Sequence, residues 1–339
     1  MTVIKTGVIG YGYWGPNLVR NFVENPLSEV VIVADLNKDR LAKVKSTYPQ
    51  IIVTENYKDL FNHHLDAVVI ATPPTSHYAL AKECLEHGLH VLVEKPITLN
   101  SQHAKELIEN SKKDNLVLMV GHTFEYNTAV QTLKKLIESG ELGEIYYVDS
   151  ARLNLGLFSR ELNVLWDLAP HDISILLYIL GQNPLSVSAH GMPFVNKGIH
   201  DVVYMNLVFP GNILAHIHVS WLDPCKVRRV TVVGSKKMVV YNDIESLEKI
   251  RIYDKGVEKP PYTNTFGDFQ FSYRYGDVII PNIRFAEPLQ KECQHFLSCI
   301  TNHTEPLTGG LDGLQVVKII ETAQLSLSEN GRHQEVIKW

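Results

Sequence analysis

The sequence predicts an α/β protein in two parts: a doubly wound parallel sheet over residues 1–122, then an α/β domain with a mainly antiparallel sheet over residues 123–339. Three observations predict it. Short apolar runs alternate with helix-period segments up to about residue 122, the pattern of a parallel sheet covered on both faces. Longer alternating strands with tight connections, such as "FPGNI" at 209–213, then take over, as in an antiparallel sheet. A glycine-rich turn, "GVIGYGYWGPN", joins the first strand to the first helix.

In chain order, the apolar runs predict strands at 6–10, 30–35, 51–53, 66–72, 90–95 and 116–121. The spacing predicts helices over 15–25, 38–48, 56–63, 76–88 and 101–113. A helix over 127–139 closes at Gly140. Strands are expected at 144–154, 185–195, 201–209, 212–221, 226–234, 237–242 and 247–253, interrupted by a helix at about 167–180 that ends at Gly181. Two more helices, 285–301 and 311–329, end the chain, the last able to pack back on the first domain. The stretch 255–284 is rich in Pro, Gly, Tyr and Asn, and a loop so long is expected to be a lid or an oligomer contact.

Composition narrows the function. The formal net charge of −5, with no long Lys/Arg run, argues against nucleic-acid or anionic-membrane partners. Cys84, Cys225, Cys293 and Cys299 stand without a C-x-x-C pair, so neither a disulfide scaffold nor a metal site is expected. The N-terminus enters a strand at once rather than a signal peptide, and runs such as "ISILLYIL" are too short to span a bilayer. A soluble, cytoplasmic protein is the expectation.

Gly10, Gly12 and Gly15 form G-x-G-x-x-G between a strand and a helix. The first glycine permits the tight turn, the second lets a pyrophosphate approach the backbone, and the third lets helix and strand pack closely. Pro16 suits a first helical turn, and the N–H groups of that turn can hold phosphates. Tyr13 and Trp14 lie within the turn as further cofactor contacts. Alone the triplet is a weak signal; Asp35, ending "VVIVAD" 20 residues after Gly15, strengthens it. A carboxylate there accepts hydrogen bonds from ribose hydroxyls and repels a 2′-phosphate, which favours NAD, with Arg40 nearby leaving NADP possible. Thr72 and Pro73, in "VIATPPTSH", end the fourth strand at the ligand-binding edge of such sheets. His77 is either a cofactor contact or a polar residue starting the next helix.

"HVLVEKPITLN" (90–100) runs an apolar strand into Glu94, Lys95 and Pro96. Opposite charges there are costly to desolvate without partners. They make sense if they project toward the nicotinamide end of a dinucleotide; the plain alternative is a surface ion pair. X-Pro bonds populate cis readily, and a cis Lys95–Pro96 bond could turn the lysine inward. "NVLWDLAPHDISILLYILG" (163–181) adds Asp167 and His171, neighbours if helical. With Pro170 expected in the first turn, His171 would stand at the positive helix end. A histidine paired with a carboxylate is an acid/base candidate.

These residues, together with "ATPPTSHYALAKECLEHGLHVLVEKP", "DLAPHDIS" and the tail from "EPLQKECQHF" to "SLSENG", resemble the glucose–fructose oxidoreductase/inositol dehydrogenase/rhizopine catabolism (Gfo/Idh/MocA) oxidoreductases over nearly the whole chain. The resemblance implies a Rossmann domain joined to an α/β domain whose large, open sheet often forms a dimer or tetramer interface, with the active site between the domains. It implies Lys95 and His171 as catalytic lysine and histidine and Asp167 as an active-site acid. Many members carry an arginine soon after the sixth strand; this chain reads "GHTFEYNTA" (121–129), which makes Tyr126 the expected substrate contact there and leaves Asn127 open.

The implied chemistry is reversible hydride transfer at a sugar or cyclitol carbinol carbon. The alcohol would sit between Lys95 and His171, which share proton removal and alkoxide stabilisation. A lysine beside a cationic nicotinamide should have a lowered pKa. Trp166, Arg152 and Asn154, the last two on one strand face by period two, are further substrate candidates. Lys226, Arg228 and Arg229 are a solvated strand face or, pointing inward, a site for a diphosphate or carboxylate. "SWLDPCKVRR" with "VVGSKKMVVYND" resembles members tied to nucleotide sugars, so ring carbon 3 of such a sugar is the first expectation. A free sugar or inositol comes second; an NAD-dependent glycosidase and an NAD-binding regulator are the alternatives outside the class.

Overall fold

The computed structural model describes residues 3–159, 161–258 and 272–336. Residues 259–271 of the expected 255–284 loop lie outside them, and Ser272–Ile279 form a strand rather than loop. The chain divides into two compact units, Met1–Tyr126 with Ala286–Lys318, and Asn127–Phe285 with Ile319–Trp339.

The first unit holds six parallel strands: β1 (Ile4–Ile9), β2 (Ser28–Ala34), β3 (Ile52–Thr54), β4 (Ala67–Ile70), β5 (His90–Val93) and β6 (Leu118–Val120). Their order is β3-β2-β1-β4-β5-β6, the doubly wound arrangement that reverses direction between β1 and β4. β4 is buried at every position, as a strand covered on both faces must be. Helices α1 (Gly15–Glu24), α2 (Lys38–Thr47), α3 (Pro74–Glu86) and α4 (Ser101–Lys113) connect the strands. The expected helix at 56–63 is instead a 3₁₀ segment, Tyr57–Asn62, whose first turn is capped by the Asn56 side chain; six residues are too few for a stable α-helix.

Chain from beyond residue 285 completes this unit. In α7 (Pro288–Asn302), Leu289, Cys293, Phe296 and Leu297 enter the same core as Val8, Val19, Phe22 and Met119. The Phe22 and Phe296 rings meet edge to face at 6.3 Å, and Arg20 of α1 donates to Glu287 at 2.5 Å. The expected boundary at residue 122 thus stands beside a first unit that runs to residue 126 and regains 286–318.

In the second unit α5 (Thr128–Glu138) precedes β7 (Ile145–Leu155), α6 (Val164–Leu180), β8 (Ser186–Met192), β9 (Val202–Phe209), β10 (Ile213–Ser220), β11 (Leu222–Gly234), β12 (Met238–Asn242), β13 (Ile250–Glu258) and β14 (Ser272–Ile279). With β15 (Gln334–Glu335) they form a nine-stranded sheet, β14-β13-β12-β11-β7-β10-β9-β8-β15. Within this sheet only the β10–β7 pair among the described strands is parallel. The last helix, α8 (Gly310–Ser328), is divided between the two units.

Helix α6 starts earlier than its expected position. Asn163 caps it by accepting from the Trp166 N–H at 3.2 Å, and Val164 and Leu165 are buried, which holds the early turn in place. Pro170 therefore falls inside the helix, not in its first turn. The expectation that His171 stands at the positive helix end is corrected: it is more than a full turn from the N-terminus, beyond the reach of the end charge. Gly181 closes the helix in the left-handed conformation, φ 63°.

Candidate active site

The register of the parallel sheet sets one row of strand ends side by side. Ile9 pairs with Ala34 and Ile70, and Ile70 with Val93. The residues that follow these positions, Gly10, Asp35, Ala71–Thr72 and Glu94–Lys95, leave the sheet at the same edge.

At that edge Gly10 has φ +99°, and a side chain there would begin 2.5 Å from the Ala71 carbonyl oxygen. A Cβ on Gly15 would overlap the Gly10 carbonyl oxygen. Neither position admits another residue, so the turn brings bare backbone to the start of α1. That helix has no side-chain cap at Trp14 and no acidic residue in its first turn, which leaves its positive end to an anion. Tyr13 is 82% exposed and packs edge-on against Trp14 at 5.8 Å, giving the turn two apolar rings open to a ligand. Asp35, nearly buried, accepts from the Tyr11 N–H at 2.6 Å and the Asn37 N–H at 2.8 Å. The Arg40 guanidinium lies 3.4 Å from the same carboxylate and 3.8 Å from the Cβ position of Gly12. This cradle fits a dinucleotide: backbone and helix end for the pyrophosphate, Asp35 for the ribose hydroxyls.

Thr72 shares a hydroxyl hydrogen bond with Ser76 at 2.7 Å, and Pro73 precedes α3. His77 is fully buried, its ring nitrogens 2.8 Å and 2.9 Å from the carbonyl oxygens of Pro96 and Thr72. Burial pushes its pKa down. The expectation of cofactor contact is corrected here: with no exposed atom, His77 staples the Thr72 turn to the Lys95–Pro96 turn.

The Lys95–Pro96 bond is cis. Lys95 is half-buried, and its N–H donates to the Glu94 carboxyl at 3.3 Å. That carboxyl packs against Gly121, where a Cβ would lie 3.1 Å from it. Burial, opposed by the Lys95 charge, raises the Glu94 pKa to about 7. Next in the chain, His122 is fully buried with no hydrogen-bond partner on either ring nitrogen among the described residues. Burial and the Lys95 charge push its pKa down to about 3, so it is a neutral ring at any physiological pH.

Tyr126, the expected substrate contact, is a buried residue. It is 4% exposed, its hydroxyl 3.2 Å from that of Thr308 in the core of the first unit. The sequence pattern after β6 hid this because Thr308 arrives from 182 residues away. Asn127 is also buried; it caps α5 by accepting from Ala129 N–H at 2.9 Å and donates to the Tyr241 hydroxyl at 3.2 Å.

In the second unit Asp167 and His171 lie one turn apart on α6, and Trp166 is partly exposed. The Trp221 indole N–H donates to Asp167 at 2.9 Å, a positioning contact that no spacing signals. Arg152 departs from its expected substrate role. It is 5% exposed and donates through Nε to Asp172 at 2.6 Å, while the Ser150 hydroxyl donates to the same carboxylate at 2.7 Å. The face that β7 shares with Asn154 is covered by α6, so its cation is spent inside the fold; Asn154 remains partly buried near the strand end. Arg228 pairs with Asp243 at 3.6 Å, whereas Lys226 and Arg229 are exposed.

Comparison with known proteins supplies the wider setting. Residues 4–122 match the family described as "Oxidoreductase family, NAD-binding Rossmann fold", and residues 130–240 match the "GFO/IDH/MocA C-terminal domain". UDP-N-acetylglucosamine 3-dehydrogenase of Acidithiobacillus ferrooxidans is 26% identical, covering 94% of this chain and 95% of its own. The solved structure of that enzyme superposes with a TM-score of 0.80 at 24% identity, over 97% of this chain and 99% of the other. The NAD⁺-dependent scyllo-inositol 2-dehydrogenase of Bacillus subtilis is 26% identical, over 91% of this chain and 90% of its own. No helix among the described residues is long and apolar enough to cross a membrane.

Proposed function

Since the chain belongs to the Gfo/Idh/MocA family of NAD(P)-dependent oxidoreductases acting on CH–OH groups, we propose that its substrate is a nucleotide-linked sugar, oxidised or reduced at ring carbon 3. NAD binds the first unit, and the second unit takes the substrate. The observation that supports this reading is the row of strand ends, in which Lys95 follows β5 at the same sheet edge where the Gly10 turn follows β1. Similarity to the UDP-N-acetylglucosamine enzyme along the full chain supports the substrate class.

Bound NAD supplies the hydride acceptor. Lys95 and His171 share two tasks at the substrate hydroxyl: taking its proton and hydrogen-bonding the developing alkoxide. Asp167, held by Trp221, orients His171 or a neighbouring hydroxyl. Asp35 selects NAD over NADP by occupying the place of a 2′-phosphate, and Arg40 tempers that selection. The exposed sheet face carrying Tyr147, Tyr204 and Leu214 meets a second copy of the chain in a homodimer or homotetramer.

A screen of UDP- and TDP-sugars, free hexoses and inositols with NAD or NADP, read at the NADH absorbance, tests the assignment. Turnover of a sugar nucleotide is expected. Turnover of inositols alone would favour the second reading, which the likeness to scyllo-inositol 2-dehydrogenase supports.

A further inference from the structure

Behind the Lys95 turn lies a group that the chemistry above does not use. Glu292 of α7 is fully buried, and neither carboxyl oxygen has a well-formed hydrogen bond among the described residues. The groups facing it come from three segments. Glu94 and Lys95 stand at the end of β5. His122, Thr123, Glu125 and Tyr126 follow β6, where α7 packs. Cys293 is its neighbour on α7, and the charge nearest the start of that helix, Glu287, is already paired with Arg20.

An ionised carboxylate without partners in such a place costs several kcal/mol. Here the cost is compounded by Glu94, whose charge opposes a second one. Thr123 offers Glu292 a little relief, not enough to offset burial. Two neighbouring carboxyls in a poorly solvated site titrate as a pair, and one keeps its proton well past the range of the other.

We propose that Glu292 is a buried acid that keeps its proton through the neutral range, leaving Glu94, beside Lys95, as the carboxyl that carries the negative charge of the turn. Glu292 is then a positioning residue. By staying neutral it limits the turn to one negative charge, which counterbalances the lysine without neutralising its chemistry. The pKa directions agree: Glu292 is raised well above the ordinary carboxyl value, first by burial and then by Glu94, while Glu94 itself titrates near neutrality. The Cys293 thiol, pushed up by burial and by both carboxyls, adds no charge.

The inference rests on the catalytic reading of Lys95 only for its purpose; the proton itself can be observed without turnover. Infrared difference spectra of the NAD-bound protein, wild type minus Glu292→Gln, are expected to show the carbonyl stretch of an un-ionised carboxylic acid at pH 8. In Glu94→Gln that band is expected to disappear at lower pH than in wild type, since the opposing charge is gone. Glu292→Leu, of similar bulk, provides a second reference should the Gln variant fold poorly. In turnover, the acid limb of kcat against pH is expected near pH 7, kept in Glu292→Gln and lost in Glu94→Gln. Absence of the band in wild type, or a band whose midpoint ignores Glu94, would overturn the proposal. Full activity of a Lys95→Met variant would overturn the catalytic reading instead and leave the spectra untouched.

Discussion

β4 of the parallel sheet is buried along its whole length, whereas β9 of the nine-stranded sheet alternates, with Val203, Met205, Leu207 and Phe209 buried and Tyr204 and Val208 exposed. Both strands are apolar, but crossover helices cover both sides of the first sheet, while α6 packs on one side of the second. A sealed sheet has only its strand ends to offer a ligand, and the first unit collects its charges there: Asp35, Glu94 and Lys95 all follow a strand. An open sheet offers a face. Tyr147, Tyr204, Val208 and Leu214 lie on that face, with the Tyr204 and His218 rings stacked at 4.1 Å. A row of strand ends in one unit and an exposed face in the other follow from how each sheet is covered.

The comparison can be broken at either place. Lys95→Ala, at the edge, is expected to lower kcat by roughly 10²–10⁴-fold while NAD binding, followed by quenching of tryptophan fluorescence, persists; unchanged turnover would remove the edge from the chemistry. At the face, Tyr147→Glu with Leu214→Glu places like charges in the proposed contact between copies. Sedimentation velocity should then show a smaller species, with NAD affinity in the first unit retained; an unaltered sedimentation coefficient would place the contact elsewhere. A milder change is expected for Asp35→Ala, which removes the carboxylate but leaves Arg40 and should shift the NADP/NAD preference by about tenfold toward NADP.

The smallest effect sharpens what sealing means. His122 is buried and neutral, its ring without a hydrogen-bond partner among the described residues, with its pKa lowered from 6.5 to about 3. Below pH 6.5 the unfolded chain takes up a proton that the folded protein refuses, so this residue's share of stability is lost as pH falls through that window. Between pH 6.5 and 4.5 the loss amounts to roughly 2 kcal/mol. Thermal unfolding of His122→Phe should therefore depend less on acid pH than that of the wild type; parallel curves would mean that the ring finds a partner.

Much of this was legible from residue order alone. Alternation of apolar runs and helix-period segments predicts both sheets, because strand burial imposes a period on sequence. The glycine turn and Asp35 are local: a φ of +99° and a strand end need no distant residue. So is "EKP", three consecutive residues at a strand end. The early start of α6 is also local, set by the Asn163 cap, whereas Pro170 alone suggests a later start because proline suits a first turn. What misled was chemistry whose meaning depends on a partner far along the chain. Tyr126 resembles a cleft residue until Thr308 meets its hydroxyl, Arg152 a substrate anchor until Asp172 pairs with it, and His77 a cofactor contact until Pro96 closes over it.

The order of residues alone determined the parallel sheet, its nucleotide-binding turn and the lysine at a strand end, since each is set by neighbours a few positions apart. Only the tertiary structure decided which polar side chains are spent inside the fold and which remain for a ligand. Burial and pairing depend on residues brought together from as far as 267 positions apart, as Arg20 and Glu287 are. The same holds for Glu292: on its helix it reads as one more charged residue, and it is buried without a well-formed hydrogen bond among the described residues only because α7 packs on the segment that follows β6.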